Sequence, residues 1–141
     1  MDNLKNDLNL RFCIWEYDDI SHEDITNTLK LTPLKTYIKG KKINPRFERI
    51  AKQNGWVYGT PYYNEMDFMT QLDEILDVLE PRISILRTYA QKYKCEFSCA
   101  VFLNNREEST PWIHFGKRYN AFIKEIDVEF DIEIFYPPLE E

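Results

Sequence analysis

Apolar side chains recur at every second position early in the chain, where Leu8, Leu10, Phe12 and Ile14 alternate with Asn9, Arg11, Cys13 and Trp15. A period of two is that of a strand with one buried face. Asp18 to Ile25 then reads as a helix start. Ser21 can cap the free amides, Glu23 and Asp24 suit the positive end of the helix dipole, and Ile20 can staple onto Ile25. This helix is expected to run to about Lys30 and to stop before Pro33, whose ring disfavours a helical Thr32. Thr36 to Lys39 and Gly55 to Thr60 read as short strands. A long cationic connection joins them, beginning at Gly40, carrying Pro45 and expected to be mobile in part.

From Met66 the period lengthens to 3.6, which puts Phe68, Met69, Leu72, Ile75, Leu76 and Leu79 on one helical face. Pro81 suits the first turn of a following helix, or a kink, with Ile83, Leu86 and Tyr89 or Ala90 inward. Cys95, Phe97, Cys99, Val101 and Leu103 return to the period of a strand, and Asn104 to Ser109 form a polar loop. A helix is predicted over Phe115 to Glu125, burying Tyr119, Phe122 and Ile123, with Gly116 weakening its start. The closing strand, Ile126 to Ile134, turns Ile126, Val128, Phe130, Ile132 and Ile134 inward and Asp127, Glu129, Asp131 and Glu133 outward, and Pro137-Pro138 ends it.

The order is therefore βαββαβ followed by αβ. Its first six elements make the ferredoxin-like arrangement of an α+β fold, an antiparallel sheet with helices on one face, extended by a C-terminal αβ unit. Alternation in every strand predicts that the second sheet face is open. With 141 residues, 43% of them hydrophobic, the chain can bury one core, so a single domain over residues 1–141 is expected, its core at about 8–136. No apolar run reaches the length of a membrane span, and Met1 to Asn6 are too polar for a secretory signal, so a cytoplasmic protein is expected. Cys13, Cys95 and Cys99 lack the spacing of a disulfide framework or a zinc site. Reduced thiols fit better, with Cys95 and Cys99 packed as small hydrophobes.

Charge divides the chain unevenly. Residues 28–56 hold Lys30, Lys35, Lys39, Lys41, Lys42, Arg46, Arg49 and Lys52 against Glu48 alone, a net +7, so the remainder of a chain of net charge −6 carries −13. The overall acidity argues against a general nucleic-acid binder, while the segregation is a clue to partners.

A set of landmarks runs through most of the chain in a fixed order: Asp18-Asp19 with Ile25 and Leu29, Leu31-Thr32-Pro33, Thr36, Lys39-Gly40 and Gly55-Trp56. It continues through Leu79-Glu80-Pro81, Phe97-Ser98-Cys99, Trp112-Ile113-His114-Phe115 and Phe130-Asp131-Ile132. Together these resemble the bacterial domain of unknown function family 4279. Lys30 departs from the pattern, standing where that family usually has a glycine after the helix, which implies a locally different helix exit. The resemblance implies one bacterial α+β domain, no established activity and no catalytic residue to carry over.

Candidate chemistry is sparse, and no cofactor is expected. His22 lies in the first turn of a helix and reads as solvated. His114 precedes a helix, where a cleft is one reading and a structural histidine the other. No Cys-His pair is close in sequence, and no metal-ligand spacing is evident. Lys39, Lys41 and Lys42, with Arg46 and Arg49 beyond, Gly40 allowing close backbone approach and Tyr37, Trp56 and Tyr58 nearby, form a candidate anion site, although a P-loop would need a longer glycine spacing and Trp56 is expected rather to pack against the sheet. The alternative is a solubilising loop. Asp127, Glu129, Asp131 and Glu133 form an acidic row at roughly 7 Å intervals. It reads either as charge that protects an exposed strand from pairing or as a docking face, with Trp15 and Phe102 as apolar anchors. The leading functional reading is a non-enzymatic binding module for a protein partner, immunity-like in one version. A sensor or enzyme for a small anion is the alternative, and a homodimer through the open face is a third.

Overall fold

The structure, a computed structural model, describes residues 5–59 and 66–136. Its elements follow the chain as β1 (Asp7–Trp15), α1 (His22–Leu29), β2 (Lys35–Tyr37), β3 (Gly55–Tyr58), α2 (Phe68–Leu79), α3 (Ile83–Lys92), β4 (Lys94–Phe102), α4 (Lys117–Glu125) and β5 (Glu129–Phe135). The strands form one mixed sheet in the order β2-β3-β1-β4-β5. All neighbours are antiparallel except β4 and β5, which run parallel because α4 carries the chain back between them. The fold is thus mixed α+β with an open five-stranded sheet.

The period-two residues of β1 and β4 meet on one sheet face. Leu8, Leu10, Phe12 and Ile14 lie beside Val101, Cys99, Phe97 and Cys95, and all are buried. Ile25 and Leu29 of α1, the apolar stripe of α2, Leu86 of α3 and Tyr119 and Phe122 of α4 close over them. Phe97 sits at the centre, with Phe12, Tyr119, Phe130 and Phe122 rings at 5.5, 5.7, 6.0 and 6.1 Å. Offset and edge-on contacts of this kind add to what burial alone contributes.

Polar side chains set the helix ends. Ser21 Oγ accepts from Asp24 N at 3.1 Å and Asp24 Oδ2 accepts from Ser21 N at 2.8 Å, a capping box at the start of α1. Asp67 caps α2 through Thr70 N at 2.8 Å. Pro81 lies in a 3-10 turn, Glu80–Arg82, between α2 and α3, and Arg82 from that turn donates to Leu29 O at 2.6 Å and Val78 O at 2.8 Å. Arg118 of α4 reaches Asp77 Oδ1 at 2.6 Å and Glu80 Oε1 at 2.7 Å, joining α4 to the end of α2.

Several expectations need correction. The closing strand begins at Glu129 and not at Ile126. Ile126 is buried at the C-cap of α4, and Asp127 lines a shallow depression with Arg87, Lys124 and Glu125. Asp127 therefore leaves the acidic row. Ile132 and Ile134 share the inward register but are 46% and 52% exposed, because β5 is the sheet edge. Phe115 precedes α4 and Ile123 is partly exposed. His22 is more than a solvated residue, since its Nδ1 meets the hydroxyl of buried Tyr17. Thr60 and Pro137-Pro138 lie outside the described residues.

The cationic connection is also more ordered than its composition implies. Gly40 N donates to Ala51 O at 3.0 Å, Ala51 N to Lys41 O at 2.9 Å and Ile43 N to Arg49 O at 3.0 Å. Asn54 Oδ1 accepts from Lys39 N at 2.9 Å, and Asn54 Nδ2 donates to Tyr17 O at 2.6 Å. Residues 38–54 are therefore a folded flap, paired along its two arms and tied at its base.

Candidate functional site: the charged sheet face

Residues out of phase with the core point to the second sheet face. Register places there Lys35 and Tyr37 of β2, Gly55 and Val57 of β3, and Arg11, Cys13 and Trp15 of β1. From β4 come Lys94, Glu96, Ser98, Ala100 and Phe102, and from β5 Glu129, Asp131, Glu133 and Phe135. The buried helix residues pack on the opposite side. This face has two halves of opposite sign.

On the β5 side the alternation of Glu129, Asp131 and Glu133 produces a column of exposed carboxylates. Lys94 Nζ lies 4.0 Å from Glu129 Oε2, but no cation pairs with Asp131 or Glu133 among the described residues. Beside the column, β4 contributes only the small side chains of Ser98 and Ala100, opposite Asp131 and Glu133. Phe102 and Phe135 stack at 5.3 Å at one end of this trough. Trp15 stands near the other end. Its ring lies over Gly55, where a Cβ would collide with the indole, and packs on Tyr37 at 5.4 Å. Its Nε1 donates to Glu96 Oε1 at 2.8 Å.

Glu96 of β4 is a buried carboxylate at the Trp15 end of the trough. Its Oε2 has no hydrogen-bond partner among the described residues, and Lys94 Nζ is 3.8 Å away. Burial, and then the neighbouring Asp131, raise its pKa, while Lys94 and the Trp15 bond pull it down.

On the β2 side the flap of residues 38–54 overhangs the sheet. Between them lies a cavity of about 940 Å³ lined by Arg11, Cys13, Trp15, Lys35, Tyr37, Arg49, Lys52, Ser98 and Glu133, with Leu34, Ile43, Ile50 and Val57 as apolar surface. Lys35 also lies over the Tyr37 ring, its Nζ 4.7 Å from the centroid.

The residues expected to form one anion site are thus dispersed. Lys39, Lys41, Lys42 and Arg46 are exposed on the flap and do not line the cavity, and Lys42 is 3.6 Å from Glu48. Trp56 is fully buried on the helix side, where its Nε1 donates to Thr26 Oγ1 at 3.0 Å, so it shares no surface with those lysines. Of the acidic set, Glu129, Asp131 and Glu133 share the open face with Trp15 and Phe102. Arg49 and Tyr37 of the expected basic segment do line the cavity, whereas Arg11, Lys35, Lys52, Glu96 and Ser98 were not singled out by the sequence. The signal for Arg11, Glu96 and Ser98 was their position in the polar phase of alternating strands.

Nucleophilic chemistry finds little here. Burial pushes the Cys13 and Cys95 thiols up to about 12 and Cys99 up to about 11, far from the range of reactive thiols. His114 is exposed and stacks on Trp112 at 4.9 Å. Among the described residues no group of three or more His, Cys, Asp or Glu is placed to hold a metal ion, and no helix is long and apolar enough to cross a membrane.

An open sheet with helices on one face and a two-signed second face defines a mixed α+β class. Within it, the chain belongs to the family described as Domain of unknown function (DUF4279), whose model matches residues 6–136, nearly the whole chain. No curated protein and no solved structure matches the chain.

Proposed function

We propose that this chain is a non-enzymatic binding module that engages a basic protein through the acidic half of its open sheet face. A bacterial, cytoplasmic, immunity-like protein that neutralises a basic toxin is the specific form of this reading. The observation that carries it is the column of Asp131 and Glu133, which has no ion-pair partner among the described residues, beside the small Ser98 and Ala100 and on the face opposite the helices that cover the core. The buried Glu96 Oε2, which has no hydrogen-bond partner among the described residues, adds at the head of the trough an acceptor for an incoming Lys or Arg donor. Trp15 at one end and Phe102 with Phe135 at the other supply aromatic anchors of the kind that dominate interfaces.

A second copy of the chain suits the acidic edge poorly. Pairing two β5 strands would bring their carboxylate columns together, and like charges across a strand pair repel. The strand order β2-β3-β1-β4, antiparallel throughout, fits a ferredoxin-like unit with α3 inserted and α4 and β5 appended.

The test is affinity capture from the native cell with three forms of the full chain. Wild type and Asp127→Lys should retain the same basic protein, because Asp127 lies off the face, while Asp131→Lys should lose it. Capture that Asp131→Lys leaves intact, or that persists unchanged in high salt, would sink the reading. Elution of the isolated chain as a stable dimer that Asp131→Lys disrupts would replace it with self-association.

A further inference from the structure

The flap side of the open face has a charge balance of its own. Arg11, Lys35, Arg49 and Lys52 all line the cavity, and none has an ion-pair partner among the described residues. Glu133 is the only carboxylate in the lining. Four cations around one concavity repel one another, and the protein tolerates that arrangement at a cost that an anion would relieve. Arg11 makes the case strongest. It rises from the central strand, is half-buried, and among the described residues its side chain donates only to its neighbour Leu10 O at 3.3 Å. Burial disfavours its charged form, and no carboxylate of the described residues pairs with it.

The rest of the lining narrows the ligand. Leu34, Ile43, Ile50 and Val57 offer apolar surface, and the Trp15 and Tyr37 rings border the same space. A volume of about 940 Å³ is that of a small-molecule site. A polyanion is a poor fit, because a long chain leaving the cavity over β5 would meet Glu133, Asp131 and Glu129. A single carboxylate would leave most of the cations unmet, whereas a phosphate is close to a dianion and matches the forked donors of arginine.

We propose that the cavity between the flap and the sheet binds a small ring-bearing phosphate ester, its phosphate held by Arg11, Lys35, Arg49 and Lys52 and its ring against Trp15 or Tyr37. This site adjoins the acidic half to which the partner protein is assigned and shares Trp15, Ser98 and Glu133 with it, while Asp131 lies outside the cavity lining. The flap pairs its arms through Gly40, Lys41, Ile43, Arg49 and Ala51, so Arg49 and Lys52 are held over the sheet before any ligand arrives. Preorganisation of that kind lowers the ordering cost of binding.

Calorimetric titration and melting curves on the full chain test the assignment, with phenyl phosphate, adenosine monophosphate, inorganic phosphate and a hexaglutamate peptide as probes. The two ring-bearing phosphates should bind saturably and raise the melting temperature, and inorganic phosphate should bind more weakly. Arg49→Ala, on the flap, should weaken phenyl phosphate at least tenfold, and Arg11→Met should do the same if it folds. Lys39→Ala and Lys41→Ala should change nothing. Asp131→Lys should leave phosphate-ester binding intact or improve it, which separates this site from the partner surface. Absence of binding at millimolar probe, equal binding by Arg49→Ala, or tighter binding of hexaglutamate than of either ester would overturn the proposal, the last reassigning the cavity to an acidic peptide.

Discussion

Trp15 on β1 donates its indole N–H to Glu96 on the neighbouring β4 at 2.8 Å, leaving the second oxygen of that buried carboxylate without a hydrogen-bond partner among the described residues. The pair sits where the two charged halves of the sheet face meet. It has a consequence for pH. The Glu96 carboxyl is raised above its ordinary value by burial and by Asp131, so the folded state holds this proton more tightly than the unfolded chain does. Stability from this group is then fully present at acid pH and is lost as pH climbs from the usual glutamate range through the raised value. Glu96→Gln keeps an acceptor for the indole and removes the titration. Its melting temperature relative to wild type should be lowest near pH 4 and should rise in the variant's favour towards pH 8. A difference that stays flat across that range would mean that Glu96 titrates alike in both states.

A second prediction concerns the lower half of β1, which extends beyond the last β3 pair at Phe12 and Tyr58. Gln71 of α2 takes the place of a strand there. Its Oε1 accepts from Leu10 N at 2.9 Å, and its Nε2 donates to Leu8 O at 2.9 Å and Met66 O at 3.0 Å. Gln71→Leu preserves the apolar packing of α2 but strands two buried main-chain groups of β1. Unsatisfied buried groups cost about 1–3 kcal/mol each, so a loss of about 2–4 kcal/mol is expected from urea unfolding with an unchanged slope. Stability within 0.5 kcal/mol or so of wild type would show that water replaces the amide.

The elements legible in the sequence are those in which one period dominates. β1, β4 and α2 announce themselves because each has a single buried face, and Ser21 with Asp24 announces the start of α1. Gln71 was invisible for a related reason: a polar residue beside an apolar stripe looks solvated until the strand ends that it satisfies are known. The closing strand starts three residues later than its alternation implies and ends one later, because Ile126 and Val128 continue the alternation although the chain is still leaving α4 at Ile126. Trp56 is set inward by the phase of β3, which pairs it with Ile14, as its expected packing against the sheet implies. The cavity and the absence of Lys39 from it could not be read locally, because they depend on the flap folding back over β1 and β3, and the main-chain bonds that fold it leave no mark on side-chain pattern.

Thiol reactivity offers a simple check on the sheet. All three cysteines are buried, Cys13 under the open face and Cys95 and Cys99 under the helices. Their pKa values of about 12, about 12 and about 11 leave almost no thiolate at pH 8. A disulfide reagent at that pH should therefore titrate no thiol in the native protein within minutes and all three in guanidinium. Rapid native reaction of one thiol would identify a face that opens, and Cys13→Ser would tell whether it is the charged one.

The last prediction concerns Lys30, the C-cap of α1, which the sequence resemblance marks as a departure from glycine. Lys30 adopts φ 56° and ψ 45°, the left-handed conformation, and its N–H still closes on Thr26 O. Leu31 N reaches the same carbonyl at 3.3 Å, so the turn that ends α1 is made as a glycine would make it. An L side chain in this region costs on the order of 1 kcal/mol, which lysine bears and glycine would not. The exposed Lys30 side chain has no ion-pair partner among the described residues to set against that cost. Lys30→Gly should accordingly stabilise the protein by about 0.5–1 kcal/mol in urea unfolding, even after glycine's greater freedom in the unfolded chain is counted. Lys30→Ala keeps the Cβ and should gain nothing. Equal midpoints for the glycine and alanine variants would mean that α1 leaves its last turn by another route.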